Sequence, residues 1–597
     1  MKLTICGVDI SEFKIQLAVE AVPAEKTAAE FLQRIVKTAC GTELQICTEA
    51  SAHNIVLGQQ PYTDEIKYDG YQIKTDDANL YLSGNLARGT LYAAYSFAER
   101  YLGYRSFAID TEVIPQEGAV DVPAGENVVD SPVFELRLND WIGHTNYPDF
   151  SARARINGRI DGDGSKAERY GGELRSVGGC HTFEGLCPPE QYFEEHPEYY
   201  SLWEGRRIPG ANGPTRVHGQ PCLTNPDVLK IVTDNVLKRL RENPGARMVD
   251  VSQNDNARYC QCPNCAAVDA EEGSPSGLML RFVNKVAEEV EKEFPDVLVQ
   301  TFAYQYTRKA PKITRPRHNV IIRYCTIEAC FRHPLNDPNC EKNAGVYEKE
   351  LREWQQITDK ISVWDYVTNY RSYVSPFPNL SVLRPNARLF AECNAIHLFE
   401  EDTPGTWAGM FGDLKAYLIS KLMWDPYMSE ETYQAYMDEF LQVYYGPGWK
   451  KIKEYIALED EATADTHFNC FENVDISSAF ECKHPNIGEY MAGEYLPKAY
   501  QAINPDNCLN GLMAQLDEAM ALWDQALEMA ETDLQRMPTY RSRLALTYLN
   551  LFCREYDAKT MNEEEKASYE AAVERYFADK EKYGFHYTIW TQRYNNR

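Results

Sequence analysis

The chain lacks a positive surplus. Its 61 Lys and Arg stand against 89 Asp and Glu, a formal net charge of −28. Nucleic acid is held by a positive footprint, so no nucleic-acid partner is expected, and an anionic membrane surface is disfavoured. No apolar stretch approaches the ~18 residues a bilayer span requires, and no basic run or low-complexity tract is present. The opening MKLTICGVDISEFKIQLAVE is strand-like but interrupted by Asp9, Glu12 and Lys14. It lacks the continuous apolar region and small-residue cleavage site of an export signal. Motifs for other chemistries are missing too: no H-E-x-x-H helix and no G-x-S-x-G elbow. The GNLARG run at 84–89 has neither the lysine nor the spacing of a phosphate loop.

Cysteine is not scarce, but the count of 17 is odd, and most stand singly in apolar segments, as Cys6, Cys40, Cys47, Cys393 and Cys553 do. A disulfide scaffold would show paired spacings in a short chain. Reduced thiols and a cytoplasmic location are expected, or a secreted one if a leader has been removed. Aromatic residues are abundant, with 39 Tyr, 23 Phe and 9 Trp. They suit either a large core or a surface on which sugar rings stack.

At 597 residues, two to four domains are expected. Residues 1–128 alternate as strands (FKIQLAVE, ELQICTEA, NIVLGQ, YQIKTDDANLYLSG) around helical AAEFLQRIVKTA and TLYAAYSFAERYLG, which reads as a mixed α/β accessory domain. Across 129–428, eight apolar runs recur: VFELRLNDWIG, ARINGRI, LRSVGGCHTFEG, MVDVSQNDN, VLVQTFAYQYT, NVIIRYCTIEAC, KISVWDYVTNY and AIHLFEED. Helical stretches such as PDVLKIVTDNVLKRLREN and GLMLRFVNKVAEEVEKEF separate them. Eight β-then-α units are the arithmetic of a (β/α)8 TIM barrel. Residues 429–597 carry Leu, Met and Ala at three- and four-residue steps, the pattern of a helical C-terminal domain.

A barrel of this kind works at the C-terminal ends of its strands. There the sequence sets Asp140, Trp141 and His144 after the first run and His181 after the third. Asn254, Asp255 and Asn256 follow the fourth, and Tyr304 and Tyr306 the fifth. Arg323 and Glu328 belong to the sixth, Trp364, Asp365 and Tyr366 to the seventh, and Glu400, Glu401 and Asp402 to the eighth. Carboxylates and aromatic faces around one mouth are what glycoside cleavage needs: one acid protonates the leaving oxygen and a second carboxylate attacks, activates water or steadies charge. Each acid also has a plainer reading as a helix N-cap or dipole partner. By position, Glu328 is assigned as general acid and Asp255 as the orienting or stabilising group. The roles are exchangeable, and Asp365 or Glu401 can replace either. Cys325, Ile327 and Phe331 are expected to give Glu328 apolar surroundings. Asn254, Asn256, Asp140, Trp141, His144, His181, Tyr304, Arg323, Trp364, Tyr366 and Glu401 are the expected sugar contacts.

The run Cys260, Cys262, Cys265 (YCQCPNC) offers half a zinc site or a thiol brace, with Cys180, Cys187 or Cys222 able to complete it in space. No cofactor is expected for catalysis itself.

Several long segments resemble a known family. VSQNDNARYCQCPNC, HPEYYSLWEGRR, VWDYVTNYRSYVSPFPNL, GDLKAYLISKLMWDP and FLQVYYG are similar to the proteins grouped as domain of unknown function 4838. Part of that group is glycoside hydrolase family 163, endo-β-N-acetylglucosaminidases acting on N-glycans. GNLARGTLYAAYSFAERYLGYRSF resembles the accessory domain that precedes the barrel in β-hexosaminidases and α-glucuronidases. The resemblance implies a retaining glycosidase acting on N-glycan-derived oligosaccharides, with the substrate's own 2-acetamido oxygen as a candidate nucleophile. Two other readings stay open. One is a uronide hydrolase, whose carboxylate clamp would come from Arg137, Arg155 or Arg323. The other is an inactive barrel that only binds carbohydrate.

Overall fold

The computed structural model describes residues 1–58, 63–158, 164–212, 218–407, 409–471, 508–553 and 562–585. The N-terminal region holds β1 (Lys14–Gln16), α1 (Pro23–Cys40), β2 (Ile46–Cys47), β3 (Asn54–Leu57), β4 (Tyr71–Thr75), β5 (Leu80–Gly84), α2 (Leu86–Tyr101) and β6 (Asn127–Asp130). The six strands form one mixed sheet in the order β6-β4-β5-β3-β1-β2. Helix α1 starts on a proline, folds Glu25 back onto the Val22 N–H (3.1 Å) and stops at Gly41 in the left-handed region. Its buried stripe (Ala28, Leu32, Ile35, Val36) packs with α2 over the sheet. The glycines of GNLARG serve packing: a Cβ on Gly84 would lie 2.1 Å from the Gly89 carbonyl carbon.

The second sheet is wholly parallel. Its strands are β7 (Leu136–Asn139), β8 (Ser176–Val177), β9 (Met248–Asp250), β10 (Leu298–Ala303), β11 (Val320–Cys325), β12 (Ile361–Tyr366) and β13 (Ala395–Glu401), in the order β7-β13-β12-β11-β10-β9-β8. Pairing of the first strand with the last curls the sheet into a barrel. The continuous run VIIRYC of β11 is buried at every position, as a parallel strand covered on both faces must be. Connecting helices α3 (Pro226–Glu242), α4 (Pro263–Glu272), α5 (Pro275–Glu293), α6 (Tyr347–Gln355), α7 (Leu380–Glu392) and α8 (Gly412–Trp424) accompany the strands.

One of the eight expected strands does not form. ARINGRI turns at Arg155, whose φ of 59° is incompatible with a strand, and 159–160 lie outside the described residues. Asn157 takes the strand's place. Its N–H donates to Arg137 O (3.1 Å), its side-chain oxygen accepts the Arg137 N–H (2.9 Å), and its carbonyl accepts the Leu174 N–H (3.1 Å). Its side-chain nitrogen donates to Asp69, which also holds Arg88 and Arg137 at 3.0 and 2.8 Å. Between β7 and β8, which do not pair, Asn157 thus bridges Arg137 and Leu174 and is anchored by a buried ionic network from the N-terminal region.

Beyond the barrel come α9 (Glu430–Tyr445), α10 (Trp449–Ala462), α11 (Leu516–Met529), α12 (Asp533–Tyr548) and α13 (Glu563–Lys582). Their apolar faces join the barrel's own cluster, with Trp523 buried among Phe411, Tyr445 and Tyr455. Among the described residues no helix is long and apolar enough to cross a membrane.

Candidate active site

A cavity of about 360 Å³ opens at the C-terminal ends of the parallel strands. Asp140, Asp255 and Glu401 bring carboxylates to it, His181 and Cys180 add polar edges, and Phe302, Tyr304, Trp364, Tyr366, Tyr370, Tyr373, Phe399 and Phe471 supply aromatic surface.

Asp255 stands on the segment that leaves β9. Its backbone N–H donates to Asn212 (2.8 Å), and its carboxylate accepts the Tyr304 hydroxyl at 3.1 Å, with His181 Nε2 4.0 Å away. Burial and the Asp255 charge push the Tyr304 phenol well above its usual range, so it remains a donor. Gly178, at a φ of 100°, makes the turn after β8 that delivers His181. The His181 Nδ1 lies 2.8 Å from Gln253 O; a carbonyl only accepts, so Nδ1 donates there and Nε2 faces Asp255. Across the mouth, Glu401 ends β13 and accepts the Trp364 indole N–H at 2.8 Å. Trp364 in turn covers the Arg323 guanidinium (5.2 Å).

The other expected site residues lie elsewhere. Glu328 is surrounded by charge rather than by apolar side chains: Arg308 holds it at 2.6 Å and holds Glu350 at 2.7 Å. Asn254 and Asn256 are loop braces, bonding Glu184 N, Gly219 O, Ala211 O and Gln220. Trp141 is buried against Trp407 and Gly412 and donates to Asp413. His144 is buried, stacked on Phe150 and bonded to Asn139; burial holds it down to about 3, hence neutral. Arg323 lies beneath Trp364, with Gly179 O at 3.4 Å. Arg137 and Arg155 are committed to Asp69 and Glu99. Tyr306 stacks on Tyr259 (4.8 Å) away from the cavity.

Asp365 sits behind the mouth, bonded to Thr326, and burial raises it to about 6. Next to it burial raises Glu400 well above the carboxylate range and Asp402 to about 7, while Lys415 is pushed down to about 8 by burial. None of these three acids is among the residues that line the cavity. Tyr370, Tyr373, Phe399 and Phe471 were not singled out from the sequence. The signal for Phe399 and Tyr370 was adjacency to strand ends; Phe471 comes from beyond α10, and no spacing rule connects it to the barrel.

Beside this site Cys222 joins Cys260, Cys262 and Cys265, all four sulfurs lying within 4.8 Å of one another and all buried. Cys222 Sγ is 3.8 Å from Cys262 Sγ and 3.7 Å from Cys265 Sγ. Tetrahedral zinc with ~2.3 Å bonds separates its sulfurs by ~3.8 Å. The Leu202 N–H, the Arg207 guanidinium and the Thr224 hydroxyl approach these sulfurs at 3.4, 3.7 and 3.2 Å, donors suited to thiolates. The cluster can hold a structural metal.

Residues 107–457 match the family described as domain of unknown function DUF4838, and the chain belongs to that family. No curated protein matches it. Among solved structures, it is similar to a family GH115 4-O-methyl-α-glucuronidase, BtGH115A, with specificity for decorated arabinogalactans. That likeness has a TM-score of 0.54 at 13% identity, over 96% of this chain and 76% of that one. It also matches Streptomyces plicatus β-hexosaminidase with a TM-score of 0.42 at 12% identity, over 73% of this chain and 91% of that one. At such identities the likeness is of fold alone.

Proposed function

We propose that the protein is a retaining glycoside hydrolase that cleaves β-linked N-acetylglucosamine-type glycosides in N-glycan-derived oligosaccharides. The observation that carries this reading is the strand-end cavity that Asp255 and Glu401 line together with aromatic rings. An acetamido group offers one N–H and one carbonyl; the Asp255 carboxylate accepts the first in place of the Tyr304 hydroxyl it now holds, and that hydroxyl, once released, turns to donate to the second. Held so, the acetamido oxygen attacks the anomeric carbon as the glycosidic bond breaks, and Glu401 protonates the leaving oxygen. Glu401 then takes a proton from the water that opens the cyclic intermediate. Glu328, assigned the acid role by position, is instead read as the partner of Arg308. The four-cysteine cluster is read as a structural zinc site that fixes the loop after Asp255.

The uronide alternative is weakened. Among the described residues the cavity lining contains no Lys or Arg that could clamp a sugar carboxylate.

The test is hydrolysis of a panel of aryl glycosides and N-glycan oligosaccharides. Release of an N-acetylhexosamine-terminated product is the expected result, reduced roughly 10²–10⁴-fold by Asp255→Asn on every substrate and by Glu401→Gln on those with a sugar leaving group. Turnover confined to uronides contradicts the substrate. Binding without turnover on every substrate contradicts the enzyme reading.

A further inference from the structure

A second constellation of thiols and imidazoles lies on the far side of the β11 loop. Cys330, His333 and Cys340 come from the segment after β11, and His467 from the segment after α10. One ligand atom from each lies within 4.8 Å of all the others. Cys330 Sγ is 3.4 Å from His333 Nδ1, and Cys340 Sγ is 3.6 Å from His467 Nδ1. A tetrahedral zinc with bonds of ~2.3 Å to sulfur and ~2.05 Å to nitrogen separates S from N by ~3.6 Å. We propose that these four residues form a metal centre of the Cys2His2 type, suited to zinc.

The protonation pattern supports it. His333 Nε2 is 2.8 Å from Ala464 O, which only accepts, so Nε2 carries the proton and Nδ1 presents its lone pair to the centre. An imidazole oriented through its distal N–H to a backbone carbonyl is the usual support of a metal ligand. The cysteine loop is fixed in the same manner. Buried Asn343 accepts the Cys330 N–H (2.9 Å) and donates to the carbonyls of Cys330, His333 and Pro334 at 2.9, 3.0 and 3.2 Å. Both cysteines are buried, and the two imidazole rings meet edge to face at 5.3 Å. Two separate thiol–imidazole pairs would have no reason to converge on one point from segments so distant in sequence. Two soft sulfurs and two imidazoles in a tetrahedral set select zinc over harder cations.

The position gives the centre a task. It ties the β11 loop to the segment 463–471, and that junction forms one wall of the cavity. Phe331 N–H donates to Phe468 O (2.7 Å), Cys470 Sγ to Ile327 O (3.4 Å), and Tyr370 N–H to Cys470 O (2.8 Å). Ile327, Tyr370 and Phe471 all line the cavity. The metal centre itself stands independently of the hydrolase reading.

The experiment is zinc content per chain, by elemental analysis of the full-length protein purified under reducing conditions without chelator. Cys340→Ser and His467→Gln are each expected to lose one equivalent relative to wild type, whereas Cys222→Ser loses a different one. Combining Cys222→Ser with His467→Gln removes both. His467→Cys, which keeps a ligand, is expected to retain its metal. A ligand variant that misfolds would also lose metal, so cobalt is substituted into the unmutated protein as well. Tetrahedral d–d bands of an S2N2 site, distinct from those of an S4 site, are expected. Unchanged zinc in both single variants, an absence of S2N2 bands, or a Cys330–Cys340 disulfide found by peptide mapping would overturn the proposal.

Discussion

Protonation of single buried acids sets the first predictions. Asp365 is ionised above 3.8 when unfolded but raised to about 6 by burial in the folded chain. Its contribution to stability is therefore fully present below pH 3.8 and is lost as pH rises through 6. Asp402 behaves alike up to about 7. For Asp365 the loss is on the order of 1–3 kcal/mol. Asp365→Asn keeps an acceptor for Thr326 but cannot ionise, so its urea midpoint is expected to vary less between pH 4 and 7 than that of wild type. Parallel profiles would contradict this assignment. Glu328→Gln, which releases Arg308 from one partner while leaving Glu350 in place, is expected to change turnover by no more than a few-fold. Initial rates on the best substrate of the panel check it. The strand-end residues Asp255, Tyr304, Trp364, Tyr366 and Glu401 were visible in sequence because they stand where the apolar runs end. The Arg308–Glu328 pair was not, since an ion pair across a fold leaves no local pattern.

At the level of elements, the parallel sheet shows what periodicity can and cannot carry. Seven apolar runs became strands because each is a short β-rich segment followed by a turn and a helix. ARINGRI has the composition of a strand, yet Arg155 reaches Glu99 and Ser96 on α2, and Asn157 and Arg137 gather on Asp69. Tertiary charge pairing overrides the local preference there. Asp69→Ala leaves Arg137, fully buried, without its counter-charge. A loss of roughly 3–5 kcal/mol is expected, to be read from the denaturation midpoint and slope; a change below 1 kcal/mol would show that the junction does not depend on this network. The cysteine trio was legible as half a site through its C-x-C-x2-C spacing, whereas Cys222 was one of three candidates until the fold brought it in. Cys222→Ser is expected to release metal and raise amide exchange around Leu202 and Arg207, which contact Cys260. Unchanged exchange would contradict a bracing role.

For the whole molecule, one apolar cluster runs from the barrel into the C-terminal helices, so the wall that carries Phe471 is built on the same core as the strands. The acidic chain and the carboxylate-lined mouth agree in favouring a neutral ligand over an anionic one. The central claim is that Glu401 is the proton donor of a glycosidase whose acetamido-orienting group is Asp255. The most direct measurement compares wild type, Glu401→Gln and Asp255→Asn on two N-acetylglucosaminides, one with a highly activated aryl leaving group and one with a sugar leaving group. A leaving group that needs no proton should restore Glu401→Gln toward the wild-type rate, while Asp255→Asn stays slow on both. Equal impairment of Glu401→Gln on both substrates, or full activity of Asp255→Asn, would contradict it.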